Sequence, residues 1–224
     1  MCLLAIVRNA KKFEKIVDKV WEANPDGAGL AWRVDEGVQY RKGLMDLREF
    51  RKAFNEVAKL SKEFVVHFRL GTSGPRSPIL THPFVVSPRL VRKLEGVAKL
   101  VIFHNGVVAE WEAFDVLYRA LFLDNAKALS DTEAIARILS KLDFGARVEF
   151  LKHLGGKWLV YGKKSLLRIG KWEEVDGNLL SNKNWQTKVK YGYSYYEYWF
   201  EQQKKNEIVA KQFMDNIKKG GDKE

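Results

Sequence analysis

A single cysteine, Cys2, directly follows the first methionine of this 224-residue chain. A thiolate is a strong nucleophile, and an adjacent amine can serve as its base. If Met1 is removed, the α-amine of Cys2 is free, and such amines titrate at about pH 7.7–8.0, where a general base works well. On position alone, a lone cysteine is more often a small buried hydrophobic residue. The other polar clusters must decide between these two interpretations.

Two clusters at predicted strand ends offer donors for a negatively charged group. The segment 67–74, His-Phe-Arg-Leu-Gly-Thr-Ser-Gly, contains Arg69 and Thr72; arginine pairs with a carboxylate through two parallel bonds. The segment 104–106 is His-Asn-Gly, and an asparagine amide beside a glycine N–H is a candidate oxyanion hole. The same Asn-Gly pair is also a strong hairpin signal, so both interpretations stay open from these residues alone.

Three further clusters complete the set. Asp26-Gly-Ala-Gly29 supplies two glycines near the start of a predicted strand, and Thr81-His-Pro-Phe84 places His82 after the arginine loop. Ser130-Asp-Thr-Glu133 has the form of a helix N-cap and puts Asp131 in the first turn. Each cluster taken alone is explained by local structure.

The order of the clusters resembles the class II glutamine amidotransferases, which are N-terminal-nucleophile hydrolases. The resemblance covers about residues 2–185 and rests on an N-terminal Cys followed by Asp-Gly-Ala-Gly-Leu-Ala, His-x-Arg-x-x-Thr-x-Gly, His-Pro, His-Asn-Gly and Asp-Thr-Glu. It implies an α+β fold, a four-layer αββα sandwich, with no cofactor. The four histidines show no metal-ligand spacing and one cysteine cannot build a thiolate zinc site, so we also expect no metal.

The resemblance implies catalytic roles for three residues. Cys2 would attack the side-chain amide of glutamine, form a γ-glutamyl thioester and release ammonia, while its α-amine shuttles the proton. Asn105 and the N–H of Gly106 would hold the oxyanion. These roles reverse the first interpretation of Cys2 and make it the predicted nucleophile.

Substrate-binding roles follow from the same resemblance. Arg69 would bind the α-carboxylate and Asp131 the α-ammonium group of glutamine, while Thr72 and His82 would lie near the carboxylate end. Gly27 and Gly29 would serve the backbone beneath the nucleophile. Leu70-Gly71 and Ser73 depart from the family pattern, where a large aromatic, a small residue and a histidine are common. A different γ-glutamyl amide therefore remains an alternative substrate.

The remaining chain predicts the elements that position these clusters. Amphipathic spacing predicts helices at about 10–23, 47–60, 112–123, 131–142 and 146–153. Strands are predicted at the N-terminus, at 28–34, 38–41, 64–70, 100–104, 157–161 and 165–169, and around Leu179. Strands in runs with helices grouped between them favour a layered α+β architecture.

Residues 186–224 are predicted to form a separate helical extension after a domain at 1–185. Ser194-Tyr-Tyr-Glu197 has the form of a capping box, and aromatic residues concentrate between 191 and 200. This aromatic cluster is expected to dock on the body of the protein or on a second subunit; stacking on nucleobases is the alternative. The net charge of +11 is dispersed among many acidic residues, so nucleic-acid binding is not favoured.

The sequence leaves three functional hypotheses. Because no apolar run approaches ~20 residues and the N-terminus lacks a charged leader region, we expect a cytoplasmic protein that does not span a membrane. Only the extension remains after residue 185 where other family members carry a synthase domain. The first hypothesis is therefore a glutaminase domain that passes ammonia to a separate synthase subunit. The others are a hydrolase of other γ-glutamyl compounds and a nucleic-acid or protein interaction module that retains the fold.

Overall fold

The computed structural model describes residues 2–71 and 75–186, and in them it contains two antiparallel sheets and six helices. Met1, Thr72 and the predicted extension from residue 187 onward lie outside the described residues. The strands are β1 (Leu3–Val7), β2 (Ala28–Val34), β3 (Gly37–Leu44), β4 (Phe64–Phe68), β5 (Phe84–Val85), β6 (Glu95–Ala98), β7 (Leu100–Asn105), β8 (Lys157–Gly162), β9 (Leu166–Ile169), β10 (Glu173–Val175) and β11 (Asn178–Leu180). The helices are α1 (Ala10–Glu14), α2 (Val17–Ala23), α3 (Leu47–Leu60), α4 (Trp111–Phe122), α5 (Asp131–Leu139) and α6 (Phe144–Leu154).

The strand that follows Cys2, β1, lies inside the larger sheet, between β11 and β4. This seven-stranded sheet has the order β10-β11-β1-β4-β2-β3-β6, and the four-stranded sheet has the order β5-β7-β8-β9. All five residues of β1 are buried, which explains its uninterrupted apolar sequence. Alternate residues point to opposite faces, so Leu3 and Ala5 meet the helices while Leu4 meets the other sheet.

Three hydrophobic cores separate four layers of secondary structure. The first lies between the seven-stranded sheet and helices α1 to α3, around residues such as Phe13 and Phe50. The second lies between the two sheets and includes Val65 and Phe103. The third lies between the four-stranded sheet and the second group of helices, around Trp158. This layering is the α+β sandwich that the sequence predicted.

Several boundaries differ from the sequence predictions for local reasons. The predicted helix at 10–23 is divided into α1 and α2, because the Ile16 N–H bonds to the Phe13 carbonyl three residues back, at 3.0 Å. Phe13, Val17 and Val20 still face one core, so the division loses no burial. The helix predicted to reach residue 142 ends at Leu139. The short strands β5, β6 and β10 were not predicted.

Within residues 2–71 and 75–186, no helix combines the length and the apolar character that crossing a bilayer requires.

Candidate active site

A cavity of about 70 Å³ lies where several strands end and helix α5 begins. It is lined by Cys2, Arg69, His82, Gly106 and Asp131, which come from distant parts of the sequence. These are most of the residues that the motifs singled out. Asn105 is adjacent in the chain but does not line the cavity, and Thr72 falls outside the described residues.

Sheet pairing fixes the place of Cys2. Leu3 of β1 pairs with Phe68 of β4 in antiparallel register, so the residue before β1 lies beside the residues after β4. The Sγ atom of Cys2 is 3.4 Å from both the backbone N and the backbone O of Leu70. The Cys2 carbonyl accepts a 2.8 Å hydrogen bond from the side-chain amide of Asn182. Cys2 is therefore held beside the cavity through both its side chain and its backbone.

The environment of Cys2 keeps its thiol protonated at neutral pH. Burial raises the pKa of the thiol, and the Leu70 N–H and the positive charge of Arg69 only partly offset that effect. Because only the thiolate is a strong nucleophile, a base must remove the proton before Cys2 can attack a substrate.

Arg69 is held by backbone bonds on both sides. Its N–H donates to the Gly27 carbonyl at 2.8 Å, and its carbonyl accepts from the Asp26 N–H at 3.0 Å. The buried side chain folds back over Gly71, where an added Cβ would lie 3.0 Å from Nη1 of the guanidinium. Gly71 therefore leaves room for the arginine head.

Glycines beneath the site allow two chain segments to approach closely. A Cβ at Gly29 would lie 1.9 Å from the carbonyl oxygen of His82, so no larger residue fits against that backbone. Gly27 has φ +108°, in the region that favours glycine. The segment that carries His82 can thus cross strand β2 within contact distance.

The first turn of α5 holds Asp131 in an ionised state. The Oδ2 atom accepts the Val108 N–H at 3.2 Å and lies 3.5 Å from Nδ1 of His104, while Oδ1 accepts the Thr132 N–H at 2.6 Å. Burial alone would raise the pKa of Asp131, but the bond to His104 and the backbone N–H bonds outweigh it and leave the pKa lowered. Ser130 caps the helix as predicted, its Oγ accepting the Glu133 N–H at 3.2 Å.

Three histidines connect the two sheets to helix α5. The Nε2 atom of His67 lies 3.2 Å from the His104 carbonyl, which only accepts, so Nε2 of His67 carries the proton. The rings of His67 and His82 are 4.1 Å apart, and Nε2 of His82 lies 3.1 Å from Oγ1 of Thr132. The ring of His104 stacks on Trp158 with centroids 3.7 Å apart. The motifs contained these histidines but did not predict that they connect to one another.

Burial makes the histidine layer sensitive to acid. It lowers the pKa of His67 to about 3 and that of His82 well below its usual value. In the unfolded chain His67 binds a proton near pH 6.5, whereas in the folded protein it stays neutral. The stability of the fold with neutral His67 is therefore complete above about pH 6.5 and is lost as the pH falls. We expect the free energy of unfolding to fall by up to about 1.4 kcal/mol per pH unit for each such histidine.

Urea unfolding of wild type and His67→Gln between pH 6.5 and 5 tests this expectation. In the variant, the free energy of unfolding should depend less steeply on pH than in wild type, because one titrating group is gone. His153→Gln, on the exposed end of α6, is the matched control and should leave the slope unchanged. Equal slopes for His67→Gln and wild type would contradict the buried neutral state.

Asn105 is the last residue of β7 and faces the region between the sheets. Its Nδ2 donates to Oγ of Ser181 at 2.8 Å, and the same Oγ accepts the Leu4 N–H at 3.0 Å. Its Oδ1 is buried and has no hydrogen-bond partner among the described residues. Since β7 is followed by helix α4, the hairpin alternative for Asn105-Gly106 is wrong.

Gly106 lines the cavity and has a steric reason to be glycine. An added Cβ would lie 2.6 Å from Nε2 of His104 and 3.4 Å from Cα of Gly156. Because His104 is held between Asp131 and Trp158, it has little freedom to move away. The backbone after β7 thus approaches the cavity without an intervening side chain.

The segment after β11 supports the site, and no motif in the sequence predicted this role. Ser181 bonds to the strand of Cys2 and to Asn105, Asn182 bonds to the Cys2 carbonyl, and Nζ of Lys157 donates to the Ser181 carbonyl. A serine and an asparagine after a three-residue strand form no recognisable motif. Only the pairing of β11 with β1 brings them to the site.

In the parts of the chain that the structure describes, no group of three or more His, Cys, Asp or Glu side chains is placed to hold a metal ion.

Comparison with solved structures shows what the fold is similar to. The fold resembles that of a known enzyme. A solved structure described as the allosteric regulatory enzyme of purine biosynthesis matches with a TM-score of 0.52 at 14% sequence identity. The match covers 80% of this chain, which spans only 41% of that enzyme's chain. No protein-family model and no curated protein matches the sequence.

Proposed function

We propose that this chain is a glutamine amidotransferase-type amidohydrolase of the N-terminal-nucleophile class, with Cys2 as the nucleophile. The observation that carries the proposal is the convergence of Cys2, Arg69, Gly106 and Asp131 on one cavity. The thiol there shares the cavity with a cationic and an anionic side chain, which suits a zwitterionic amino acid. The fold similarity to an enzyme of purine biosynthesis and the order of the sequence motifs support the same class.

The first chemical step forms a thioester. After removal of Met1, the free α-amine of Cys2 takes the thiol proton, and sulfur attacks the side-chain amide carbon of glutamine. The tetrahedral intermediate collapses as the C–N bond breaks, and the leaving nitrogen takes the proton from the α-ammonium group as ammonia departs. Water then attacks the γ-glutamyl thioester, releasing glutamate and restoring the thiol. The raised pKa of Cys2 agrees with this role of the amine, because the thiol does not ionise unaided at neutral pH.

Asn105 and Gly106 are proposed to stabilise the oxyanion. The Ser181 hydroxyl accepts from Leu4, and its own proton needs an acceptor. A 180° rotation of the Asn105 amide exchanges the places of its Oδ1 and Nδ2 atoms. Oδ1, which has no partner in the observed orientation, then accepts the Ser181 proton, and Nδ2 becomes the buried atom without a partner. A buried N–H donor gains most when a negative oxygen forms beside it, and the Gly106 N–H would supply the second donor.

Arg69 and Asp131 are proposed to bind the ends of the substrate's backbone. Arg69 is buried at the cavity and is positioned through its backbone bonds to the 26–27 turn. Asp131 keeps its negative charge because backbone N–H groups and His104 stabilise it. A guanidinium for the α-carboxylate and a carboxylate for the α-ammonium group would select a free amino acid over an amide within a protein. His82 and Thr72 are proposed to lie near the carboxylate end.

Arg69→Gln is expected to raise the KM for glutamine by about 10- to 100-fold, because hydrogen bonds between charged groups contribute about 1.5–3 kcal/mol. The value of kcat should change much less, since the carboxylate contact is present in both the ground state and the transition state. Arg76→Gln, at an exposed arginine whose side chain bonds to the Met45 carbonyl, is the matched control. A loss of kcat at unchanged KM would contradict the assignment of Arg69.

The experiment that tests the proposed function is a substrate panel on full-length protein that begins at Cys2. Ammonia release would be measured with glutamine, asparagine and a set of γ-glutamyl amides. We expect glutamine to have the highest kcat/KM. A better γ-glutamyl amide would establish the alternative hydrolase, and no release from any of them would contradict an amidohydrolase acting alone.

The ammonia is proposed to serve a separate acceptor. The fold similarity to an enzyme of purine biosynthesis supports a use of the ammonia in synthesis. A separate synthase subunit is the proposed partner.

A further inference from the structure

Thr132, the residue after Asp131, is buried and bonds to the carboxylate of Asp131 twice. Its backbone N–H donates to Oδ1 of Asp131 at 2.6 Å, and its hydroxyl donates to the same oxygen at 3.1 Å. Since a carboxylate oxygen has two lone pairs, Thr132 occupies both of those on Oδ1. The contacts of Oδ2 are longer, 3.2 Å to the backbone N of Val108 and 3.5 Å to Nδ1 of His104. Thr132 thus leaves Oδ2 as the oxygen more available to a cation in the cavity.

The ring of His82 donates a hydrogen bond to the Thr132 hydroxyl. Nε2 of His82 lies 3.1 Å from Oγ1 of Thr132, and a threonine hydroxyl has a single proton. Because that proton is directed to Asp131, the hydroxyl can only accept from His82, so Nε2 carries the ring proton. The hydrogen bonds therefore run in one direction, from His82 to Thr132 and from Thr132 to Asp131.

The position and the charge state of His82 suit a fixed donor. Its carbonyl oxygen lies so close to strand β2 that a Cβ at Gly29 would come within 1.9 Å of it. Its ring lies 4.1 Å from that of His67 and meets the Phe84 ring edge-on at 5.1 Å. Burial lowers the pKa of His82 well below its usual value, so the ring stays neutral. A neutral donor orients its acceptor without adding positive charge beside the carboxylate.

We propose that Thr132 is a positioning residue for the α-ammonium group of the substrate, and that His82 acts on the same group through Thr132. The donors on Oδ1 of Asp131 are uncharged, so they orient the carboxylate without compensating its charge. That charge then remains available for a charge-assisted hydrogen bond with the substrate. His82 thereby has a role at the ammonium end in addition to the one proposed near the carboxylate end. The inference rests on the proposed function, because that function assigns the α-ammonium group to Asp131.

A comparison of two substrates on full-length protein that begins at Cys2 tests the proposal. Ammonia release would be measured with glutamine and with 4-carbamoylbutanoate, which is glutamine without its α-ammonium group. Thr132→Val removes the hydroxyl at nearly constant side-chain size. We expect it to lower kcat/KM for glutamine by about 10-fold, mainly through KM. The kcat/KM for the analogue should stay the same, because the analogue has no group for Asp131 to bind.

Three further variants show whether the hydroxyl and the hydrogen-bond chain are responsible. Thr132→Ser keeps the hydroxyl and should keep the wild-type preference for glutamine over the analogue. His82→Leu should reduce this preference as Thr132→Val does, and the double variant should reduce it no further, because both residues act along one chain of hydrogen bonds. Ser140→Ala, which removes a hydroxyl bonded to the Arg137 carbonyl at the other end of α5, is the matched control and should not change the preference.

The preference is a ratio measured on one preparation, so a partly unfolded variant does not alter it. An equal loss of kcat/KM for both substrates in Thr132→Val would overturn the proposal, because the effect would then be structural. A Thr132→Ser protein with the low preference of Thr132→Val would also overturn it. If wild type hydrolyses glutamine and Thr132→Val keeps the full preference, this inference alone is wrong. If wild type releases no ammonia from glutamine, the proposed function is wrong and the inference with it.

Discussion

Replacing Cys2 with alanine is expected to reduce ammonia release from glutamine by about 10⁴-fold or more, because the thioester route needs a covalent nucleophile. Among the described residues, the groups that hydrogen-bond to the Cys2 sulfur are the backbone N and O of Leu70, neither of which is a nucleophile. The measurement is the initial rate of ammonia release at saturating glutamine.

Two controls separate loss of chemistry from loss of fold. Cys2→Ser keeps a hydroxyl nucleophile and should retain more activity than Cys2→Ala, with a similar melting temperature for both. Protein with one extra residue before Cys2 keeps the thiol but places its nitrogen in a peptide bond, and it should be as inactive as Cys2→Ala. Full activity of Cys2→Ala would contradict the assigned nucleophile. Full activity of the protein with one extra residue would contradict the assigned base.

The second large effect is expected at Asn105. Asn105→Ala should lower kcat by about 10²–10³-fold, the usual loss when one oxyanion donor is removed. The KM should change little, since the donor acts mainly on the negative oxygen of the intermediate. Asn105→Asp should be at least as severe, because a carboxylate beside the oxyanion opposes its charge.

Stability measurements must accompany that comparison, because Asn105 also bonds to Ser181. Losing this bond should reduce the free energy of unfolding by only about 0.5–1.5 kcal/mol, which leaves the protein folded at assay temperature. Asn125→Ala, at an exposed position after α4, is the matched control and should not affect kcat. A kcat for Asn105→Ala within twofold of wild type would remove Asn105 from the oxyanion hole.

Elements with strong periodicity were predictable from sequence. Phe50, Phe54 and Val57 recur at helical spacing, and the helix runs from Leu47 to Leu60 as expected. Strand β2 was also predicted with its observed bounds. Strand β10 was not, because Glu-Glu-Val has neither alternation nor an apolar run, and only pairing with β11 makes it a strand.

The orientation of α4 lay beyond sequence reasoning for a different reason. Apolar residues occur all around this helix, so its period predicts a helix but cannot say which face is buried. The buried face is set by Arg137, which pairs with Asp115 from a neighbouring helix. Local pattern cannot reveal such a contact between elements.

The candidate site was also predictable only in part. The chemical types at Cys2, Arg69 and Asp131 were visible in the sequence, and the structure brings them to one cavity. The supports were not visible, because Ser181 and Asn182 reach the site only through the pairing of β11 with β1. The domain boundary near residue 185, the role of Thr72 and the helical extension stay predictions, since they lie outside the described residues or depend on them.

The central claim is that Cys2, as the first residue of the mature chain, carries a γ-glutamyl group during turnover. The most direct measurement is mass spectrometry of the N-terminal peptide after rapid acid quenching of the enzyme with isotopically labelled glutamine. We predict a peptide that begins at Cys2 and carries a labelled glutamyl group, absent in Cys2→Ala. Glutamine turnover with an unmodified Cys2, or with Met1 still attached, would contradict the account.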